Sequence, residues 1–323
     1  MKNPWKTQTN KPIFILAPME AVTDTVFRHA IRQAASPDIF FTEFVSTDGY
    51  VSDKGRHSTR DRLFFTNDEQ PIVAQIWGNK PENFAFMAKD LAKMGYAGID
   101  INMGCPDKAV VKQGSGSGLI HNHELSAEII SATKQGGLPV SVKTRLGNIR
   151  ANEWQPWITH LLQQDLANLT IHLRSRKEMS KVPAHFEIIP EIMALRDEIA
   201  PQTLITINGD IKDHRHGIEL YEKYKVDGIM IGRGVFENPF AFSNRANKPS
   251  QQELLDLFFF HLNLHDKYSS AENPRKFDPL KRFFKIYFKD FPGASNLRNE
   301  LMQTKSTVEA RELVNNFTKR EGS

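Results

Sequence analysis

The sequence has very little cysteine and no long apolar run, and each absence excludes a class of protein. Cys105 is the only cysteine among 323 residues, so the chain can form no internal disulfide, no Cys-rich zinc site and no iron–sulfur cluster. The apolar run at 13–17 follows a polar start and is too short for a signal sequence or a membrane span. We therefore expect a soluble cytoplasmic protein without a resident metal.

The formal net charge of +4 is small, but it is concentrated in one part of the chain. Residues 1–243 hold 28 basic and 28 acidic residues, whereas residues 244–323 hold 14 and 10. Segment 275–289 alone has six basic residues, one acidic residue and interleaved aromatic residues. Basic side chains attract phosphates, and aromatic rings can stack on bases. The charge therefore leaves two alternatives open, a polyanion partner and an ordinary solvated helix face.

The aromatic residues of segment 275–289 have the spacing of one helix face. Phe283, Phe284, Tyr287 and Phe288 recur at helical intervals, which favours packing into a core over stacking on bases. Helical patterns without any strand pattern cover Gln251–His265, Pro279–Lys289 and Ser306–Lys319. These stretches predict a small all-helical domain over residues 244–323, after a boundary at Asn238–Pro249.

Residues 1–243 alternate short apolar runs with amphipathic stretches. The apolar runs are rich in β-branched residues and nearly continuous, which is typical of strands buried on both faces. Eight such units predict a (β/α)8 TIM barrel over residues 1–243, with a doubly wound sheet as the alternative. The runs begin near Ile13, Ile39, Ile72, Gly98, Val140, Leu169, Leu204 and Asp227, and helical stretches between them include Pro81–Met94, Glu124–Gln135 and Asp213–Tyr224.

Polar residues and glycines follow nearly every predicted strand, at the end where barrel enzymes hold their chemistry. This distribution predicts an enzyme rather than a structural barrel. The residues are Pro18, Met19 and Glu20 after the first strand, Gln75 on the third, Asn102 and Cys105 at the fourth, Lys143 and Arg145 on the fifth, His172 and Arg174 at the sixth, Asn208, Gly209 and Asp210 at the seventh, and Gly232 and Arg233 at the eighth.

The ends of the seventh and eighth predicted strands have the composition of a phosphate site. Asn208-Gly209-Asp210 and Gly232-Arg233-Gly234 combine glycines, which let the backbone approach a phosphate, with a neighbouring arginine. Each sequence is also an ordinary turn. Their joint occurrence at the two strands where barrels often bind phosphate predicts a phosphate-bearing ligand.

Three further side chains suit a flat polar ligand. Lys143 is predicted inside the barrel, where a cation needs an anionic or electron-rich partner unless it reaches the rim. The amide of Gln75 could pair with a heterocycle. His172 taken alone is more typical of a hydrogen-bonded core histidine, but Arg174 on the same strand face makes it a candidate site residue.

Cys105 lies just past the fourth predicted strand, between a glycine and a proline. The adjacent stretch 114–118 consists of glycine and serine and predicts a loop able to close over a substrate. A thiol here suits a nucleophile or a proton donor, while a small buried side chain is the structural alternative. No His–Asp pair can be assigned to it, which disfavours a papain-like site.

Two histidine pairs were considered as metal ligands. His121/His123 and His214/His216 have no cysteine nearby, and the acids beside them are typical of helix starts. We predict surface positions for all four residues.

Several motifs resemble, in order and separation, those of the tRNA-dihydrouridine synthases, flavin enzymes that reduce specific uridines in tRNA. DINMGCP is the most specific and resembles the catalytic-cysteine motif of that family. Ala21 stands where glycine is usual, Leu173 and Ser175 stand where glycine and threonine are common, and the loop 113–119 is a variant form. The resemblance extends from Ala17 to about Pro239 through APMEAVTD (17–24), DINMGCP (100–106), VKTRLG (142–147), TIHLRS (170–175), NGDI (208–211) and MIGRG (230–234).

The resemblance implies reduction of the uridine C5–C6 double bond, with bound FMN, NADPH as reductant and Cys105 as proton donor to C5. It implies that tRNA is the partner. We expect a monomer that associates with no membrane and needs no obligate protein partner. Implied FMN contacts are Pro18, Met19, Glu20, Gln75, Lys143, His172, Asn208, Gly209, Asp210, Gly232 and Arg233, and for His172 a contact with the substrate is the alternative. Implied substrate contacts are Asn102, Arg145 and Arg174 at the uridine, and Lys281, Arg282 and Lys285 along the tRNA.

Two alternatives belong to other classes of protein. One is an FMN-dependent barrel oxidoreductase that acts on a small molecule, such as a dihydroorotate-type dehydrogenase, and it needs no tail for a polyanion. The other is a non-catalytic RNA-binding module, and it predicts no bound flavin.

Overall fold

The computed structural model describes residues 3–5, 11–270 and 274–321, and two compact units are distinct in it. The first unit comprises Pro37–Gly232 with the described residues before Val26, and the second comprises Val26–Ser36 with the described residues from Arg233 onward. The units therefore divide after Gly232. The predicted domain boundary at residue 243 stays a prediction.

Parallel strands form the centre of the first unit. They are β1 (Ile13–Leu16), β2 (Phe40–Phe41), β3 (Val45–Ser46), β4 (Ile72–Trp77), β5 (Gly98–Met103), β6 (Val140–Arg145), β7 (Asn168–His172), β8 (Leu204–Asn208) and β9 (Gly228–Ile231). Their order is β1-β9-β8-β7-β6-β5-β4-β2, with β3 also paired to β4. Ile15 of β1 pairs with Ile39 beside β2, which closes the sheet. The predicted (β/α)8 barrel is thus confirmed, and the second predicted strand consists of the two short strands β2 and β3.

Helices connect the strands and make up the chain after β9. They are α1 (Thr25–Ala34), α2 (Thr47–Val51), α3 (Asp53–Leu63), α4 (Pro81–Met94), α5 (Lys108–Lys112), α6 (His123–Lys134), α7 (Trp154–Leu162), α8 (Ile189–Ile199), α9 (His214–Tyr224), α10 (Gly234–Glu237), α11 (Gln251–Lys267), α12 (Phe284–Tyr287), α13 (Ala294–Leu301) and α14 (Thr307–Glu321). Short 3₁₀ helices lie at Asn67–Glu69, Gly116–His121, Ala151–Glu153, Phe186–Ile188 and Asp278–Phe283. Among the described helices, none has the length and apolar character that a membrane span needs.

The connecting helices begin and end at residues with recognisable local chemistry. Pro81 opens α4, where its fixed φ suits the first turn, and Gly95 follows the helix with a φ of 89° that glycine adopts readily. Asp213 caps α9, because its carboxylate accepts a hydrogen bond from the backbone N–H of His216. These features explain why the three helices predicted between strands are found within one residue of their expected bounds.

The second unit has an aromatic core. Phe258 of α11 packs its ring against those of Phe284, Tyr287 and Phe288, at centroid distances of 5.5, 5.8 and 4.8 Å. All three partner rings are buried, as is Phe283, so packing into a core is confirmed for these residues. The prediction of a single helix over 279–289 was wrong, because a 3₁₀ helix precedes the short α12. Leu280 and Phe283 are both buried three residues apart, a spacing that a 3₁₀ helix places on one side.

Candidate active site

The inner wall of the barrel has an apolar part and a polar part. Trp5, Ile13, Ile15, Ala17, Ile39, Phe41, Val73 and Met230 form one buried apolar cluster. Strand register on β4–β8 instead aligns three polar rows: Gln75, Asp100, Ser141 and Asn168; then Asn102, Lys143, Thr170 and Thr206; then Arg145, His172 and Asn208. Barrel interiors are usually filled by branched apolar side chains. The polar rows therefore indicate a wall built to meet a polar ligand.

A chain of hydrogen bonds connects the innermost row to the carboxyl end of β5. Asp100 accepts from Ser141 Oγ at 2.6 Å and from Gln75 Nε2 at 2.7 Å. Gln75 Oε1 in turn accepts from Asn102 Nδ2 at 3.0 Å. Because Asp100 and Gln75 are fully buried, these bonds satisfy polar groups that water cannot reach.

Cys105 lies in the loop directly after β5, and hydrogen bonds hold that loop from two sides. Asn102 Oδ1 accepts from the backbone N–H groups of Gly104 and Cys105, at 3.1 and 2.9 Å. The carbonyl of Cys105 accepts from Ser117 N and Ser117 Oγ, at 3.1 and 2.8 Å. Asn102 is thus engaged in positioning the cysteine, and direct contact between Asn102 and a substrate stays a prediction.

The environment of Cys105 keeps its thiol protonated. Burial raises the pKa of the thiol, and the backbone N–H of Asp107 opposes this rise only in part. The side chain remains partly exposed, so a ligand can reach it. A protonated, reachable thiol suits a proton donor better than a nucleophile, which needs the thiolate.

Two basic residues of β6 lie close to this thiol. Burial and the nearby Arg145 guanidinium lower the pKa of Lys143 to about 8, while Asp100 and Cys105 favour its charged form. Arg145 donates to the carbonyls of Gly104, Ser175 and Met179, at 2.8, 3.2 and 3.2 Å. The structure therefore joins the loops after β5 and β7 through Arg145, and its predicted contact with uridine stays a prediction.

His172 and Arg174 belong to a second cluster at the end of β7. Arg174 is only 2% exposed, forms an ion pair with Asp210 and donates to Val182 O at 2.6 Å. Its Nη1 also donates to His172 Nε2 at 3.2 Å. Asp210 accepts in addition from the backbone N–H of Ala184 at 3.0 Å. The cluster fixes the loops after β7 and β8, and ligand contacts of Arg174 and Asp210 stay predictions.

The predicted phosphate residues lie at the ends of β8 and β9. Asn208 Nδ2 donates to Met230 O at 2.9 Å, which ties the two strand ends together. Gly209 has a φ of 118°, and a Cβ there would lie 2.9 Å from the His172 ring, so only glycine fits. Gly232 is bordered by Ala17 and Met19, and Arg233 precedes α10 as its N-cap in the second unit.

The end of β1 forms a compact turn that contains the first motif. Met19 N donates to Thr23 Oγ1 at 3.0 Å, and Glu20 pairs with Arg62 at 2.6 Å. Pro18 is half-buried beside them, which is compatible with a lining residue. Ala21 has a φ of 55°, in the left-handed region that favours glycine.

Sequence reasoning missed two buried acids of the barrel. Asp100 belongs to the DINMGCP motif, and burial raises the pKa of its fully buried carboxyl to about 6. Glu43 lies between β2 and β3, and burial, with Asp24 nearby, raises its pKa to about 7. For Asp100, the position between Ile99 and Ile101 was the available signal, since a buried carboxyl needs dedicated partners.

The basic residues of the second unit differ in exposure. Arg282 and Lys285 are exposed, whereas the Lys281 side chain is 13% exposed. Lys281 Nζ contacts Asp278 at 2.8 Å and Met302 O at 3.1 Å. Arg282 and Lys285 are therefore better placed than Lys281 to meet an external anion.

The four histidines of the two pairs differ in exposure and in ring contacts. His121 is exposed and His123 stacks on His160 with a centroid distance of 4.5 Å. His214 stacks on Phe14 at 4.4 Å, and His123, His214 and His216 are half-buried, so these three are less exposed than predicted. Within the part of the chain that the structure describes, no group of three potential metal-ligating side chains is found.

The fold and the polar wall together define a (β/α)8-barrel enzyme with its site at the carboxyl ends of the strands. The dihydrouridine synthase (Dus) family model matches residues 15–321. The chain belongs to the dihydrouridine synthase family. The resemblance seen in the motifs is thereby confirmed.

Individual relatives cover almost the whole chain. It is 57% identical over 319 residues to "Probable tRNA-dihydrouridine synthase 2" of Bacillus subtilis (strain 168), spanning 99% of this chain and 98% of that protein. It is 58% identical over 319 residues to "Probable tRNA-dihydrouridine synthase" of Staphylococcus epidermidis (strain ATCC 35984), spanning 99% and 97%. Among solved structures, a 2-naphthoyl-CoA reductase complex aligns with a TM-score of 0.53 at 9% identity, over 71% of this chain and 49% of that chain, and supports the fold alone.

Proposed function

We propose that this protein is an NADPH-dependent tRNA-dihydrouridine synthase, with FMN as bound cofactor and Cys105 as the proton donor. The observation that carries the proposal is the placement of Cys105, a half-buried thiol held in a braced loop next to Lys143 at the barrel's polar wall. Membership of the dihydrouridine synthase family and the names of the relatives support the same reaction. We further infer a cytoplasmic monomer.

The residues of the polar wall fit a flavin mononucleotide. Lys143 supplies a cation and Asn208 an amide, which can meet the polar edge of a flavin ring system. Gln75 stays a predicted contact, since its amide already bonds Asp100 and Asn102. The space beside Gly232, bordered by Ala17 and Met19, would be filled by any side chain at that position. When bound, FMN supplies the hydride that adds to C6 of the uracil ring.

The proton for C5 comes from Cys105. Because burial raises the pKa of the thiol, the proton is present at neutral pH and is transferred as charge develops at C5. Lys143, a partly exposed cation of the same wall, would offset negative charge on a bound flavin. Asn102 and Arg145 hold the backbone around Cys105, so that the thiol stays in position during the transfer.

A uridine must leave its stack to enter the barrel, and the protein must hold the tRNA meanwhile. The exposed Arg282 and Lys285 suit contacts to phosphates, which carry most of the affinity for nucleic acids. The buried aromatic residues beside them keep this basic surface in place.

The direct test is to incubate the purified protein with NADPH and unmodified tRNA and to measure dihydrouridine by mass spectrometry of the digested tRNA. We expect flavin absorbance that is released as FMN, and a uridine that gains two hydrogens. Reduction of a free pyrimidine without tRNA would favour the small-molecule oxidoreductase. A colourless protein that binds tRNA but no FMN would favour the RNA-binding module.

A further inference from the structure

The chain of hydrogen bonds from Asp100 through Gln75 to Asn102, called here the amide relay, has only one possible direction. The backbone N–H groups of Gly104 and Cys105 can only donate, so the atom of Asn102 that faces them must be its oxygen. The Asn102 amide nitrogen therefore faces Gln75, whose oxygen must accept from it. The Gln75 nitrogen is left to face an acceptor, and Asp100 provides one.

An ionised carboxylate can only accept hydrogen bonds. An amide or a hydroxyl at the same place could also donate, and would allow Gln75 to turn over. If the Gln75 amide flipped, its nitrogen would face Asn102. The Asn102 amide would then flip as well, and its nitrogen would face the Cys105 loop. Two N–H groups of the loop would then face a donor instead of an acceptor.

We propose that Asp100 is a positioning residue for the reaction: by accepting from Gln75, it fixes the orientation of Asn102 and thereby the position of the Cys105 loop. Asp100 reaches the loop through two intervening side chains. The consequence for turnover rests on the proposed role of Cys105 as proton donor, whereas the consequence for the loop does not.

Two substitutions test the direction of the hydrogen bonds in the amide relay, because the first releases that direction and the second restores it. Asp100→Asn keeps the shape of the side chain but removes the obligatory acceptor. Adding Gln75→Glu places a carboxylate at position 75. There it accepts hydrogen bonds from the amide nitrogen of Asn102 and from that of the asparagine introduced at position 100. The double variant thus restores the direction of the relay toward Asn102 with nearly the same atoms.

The experiment measures the loop itself in the FMN-loaded protein. Hydrogen–deuterium exchange reports on the Gly104 and Cys105 amides, and iodoacetamide alkylation reports on the thiol, which is unambiguous because the chain has one cysteine. We expect Asp100→Asn to accelerate exchange and alkylation roughly tenfold, the effect of one lost hydrogen bond. We expect tRNA reduction to slow by roughly 10- to 100-fold, as for a reacting group displaced by about 1 Å.

Two controls separate this role from a general effect on the barrel. Ser141→Ala removes a donor to the other oxygen of Asp100 without reversing the relay, so exchange in the loop should match the unmodified protein. The double variant Asp100→Asn with Gln75→Glu should return exchange and alkylation toward the original rates. Gln75→Glu alone, which sets two carboxylates against each other, should loosen the loop.

Unchanged loop exchange in Asp100→Asn would overturn the proposal, and so would a double variant as loose as the single one. Loss of FMN with an unchanged loop would also overturn it, because Asp100 would then act on the cofactor through Lys143. If the loop responds as expected but Cys105→Ala retains full turnover, the positioning role stands and the proposed role of Cys105 fails.

Discussion

Ala21 has a backbone conformation that residues with a side chain rarely adopt. Its φ is 55° in the turn after β1. The left-handed conformation costs an L-residue about 1 kcal/mol or more, partly offset by the greater freedom of glycine in the unfolded chain. We therefore expect Ala21→Gly to raise the free energy of unfolding by up to about 1 kcal/mol in urea titrations.

A matched variant checks the cause of this gain. Ala194 is exposed within α8, where the backbone is helical. Ala194→Gly should therefore lower the free energy of unfolding by about 1 kcal/mol. Equal destabilisation by both substitutions would show that the Ala21 turn carries no strain.

The buried carboxyl of Asp100 is expected to destabilise the fold, in addition to its proposed positioning role. Burial raises its pKa from 3.8 to about 6, so the folded protein binds this proton more tightly than the unfolded chain does. The carboxyl therefore destabilises the fold above about pH 6, and the effect disappears below about pH 4. We expect the stability of Asp100→Asn relative to the unmodified protein to rise by up to about 2–3 kcal/mol as the pH increases from 4.5 to 7.5.

Urea titrations at the two pH values check this expectation. A variant that is more stable but slower in tRNA reduction would show that the buried charge is retained for the site and not for the fold. A variant that is less stable at pH 7.5 would show that the hydrogen bonds of Asp100 outweigh its desolvation.

At the scale of elements, the 3₁₀ helix at Gly116–His121 packs against the cysteine loop. Gly116 has a φ of 57°, and a Cβ there would lie 2.9 Å from Val110 and 3.1 Å from both Cys105 Cβ and Cys105 O. Gly116→Ala should therefore push the loop away and reduce single-turnover tRNA reduction by at least tenfold, with FMN retained.

Gly114 offers a control with the same backbone strain. Its φ is 74°, but a Cβ would meet only Asn79 at 3.8 Å. Gly114→Ala should therefore affect stability without a comparable effect on turnover. Equal losses of turnover in both variants would attribute the effect to backbone strain alone.

The order of strands and helices was largely predictable because each apolar run carries its own signal. Strand starts lie within one residue of prediction at β1, β2 and β4–β9. The hydrogen bonds within the polar wall were not predictable, because Asp100 meets Gln75 and Ser141 across 25 and 41 residues of sequence. The closed sheet determines which strands are neighbours and in which register they pair. The motif predicted the position of Cys105, but it did not predict the hydrogen bond from the Cys105 backbone N–H to Asn102.

At the scale of the whole molecule, the basic surface of the second unit should govern tRNA affinity. We expect the double reversal Arg282→Glu and Lys285→Glu to weaken tRNA binding at least tenfold and to reduce its salt dependence. Lys281 is omitted because its ammonium already contacts Asp278 and Met302. Filter binding at two salt concentrations provides the measurement.

A double charge reversal on the barrel provides the control for the loss of tRNA affinity. Arg215 and Lys223 are exposed on α9 of the first unit. Their reversal to glutamate should leave tRNA binding nearly unchanged. Equal weakening by the two double variants would indicate a response to net charge instead of a defined surface.

The central claim is that Cys105 gives the proton to C5 while the barrel holds the flavin. It is tested most directly by following the two half-reactions of Cys105→Ala separately in stopped flow. The account predicts normal FMN content and normal flavin reduction by NADPH, but a rate of flavin reoxidation by tRNA at least 100-fold below that of the unmodified protein. Reoxidation by tRNA at the original rate, with dihydrouridine formed, would contradict it.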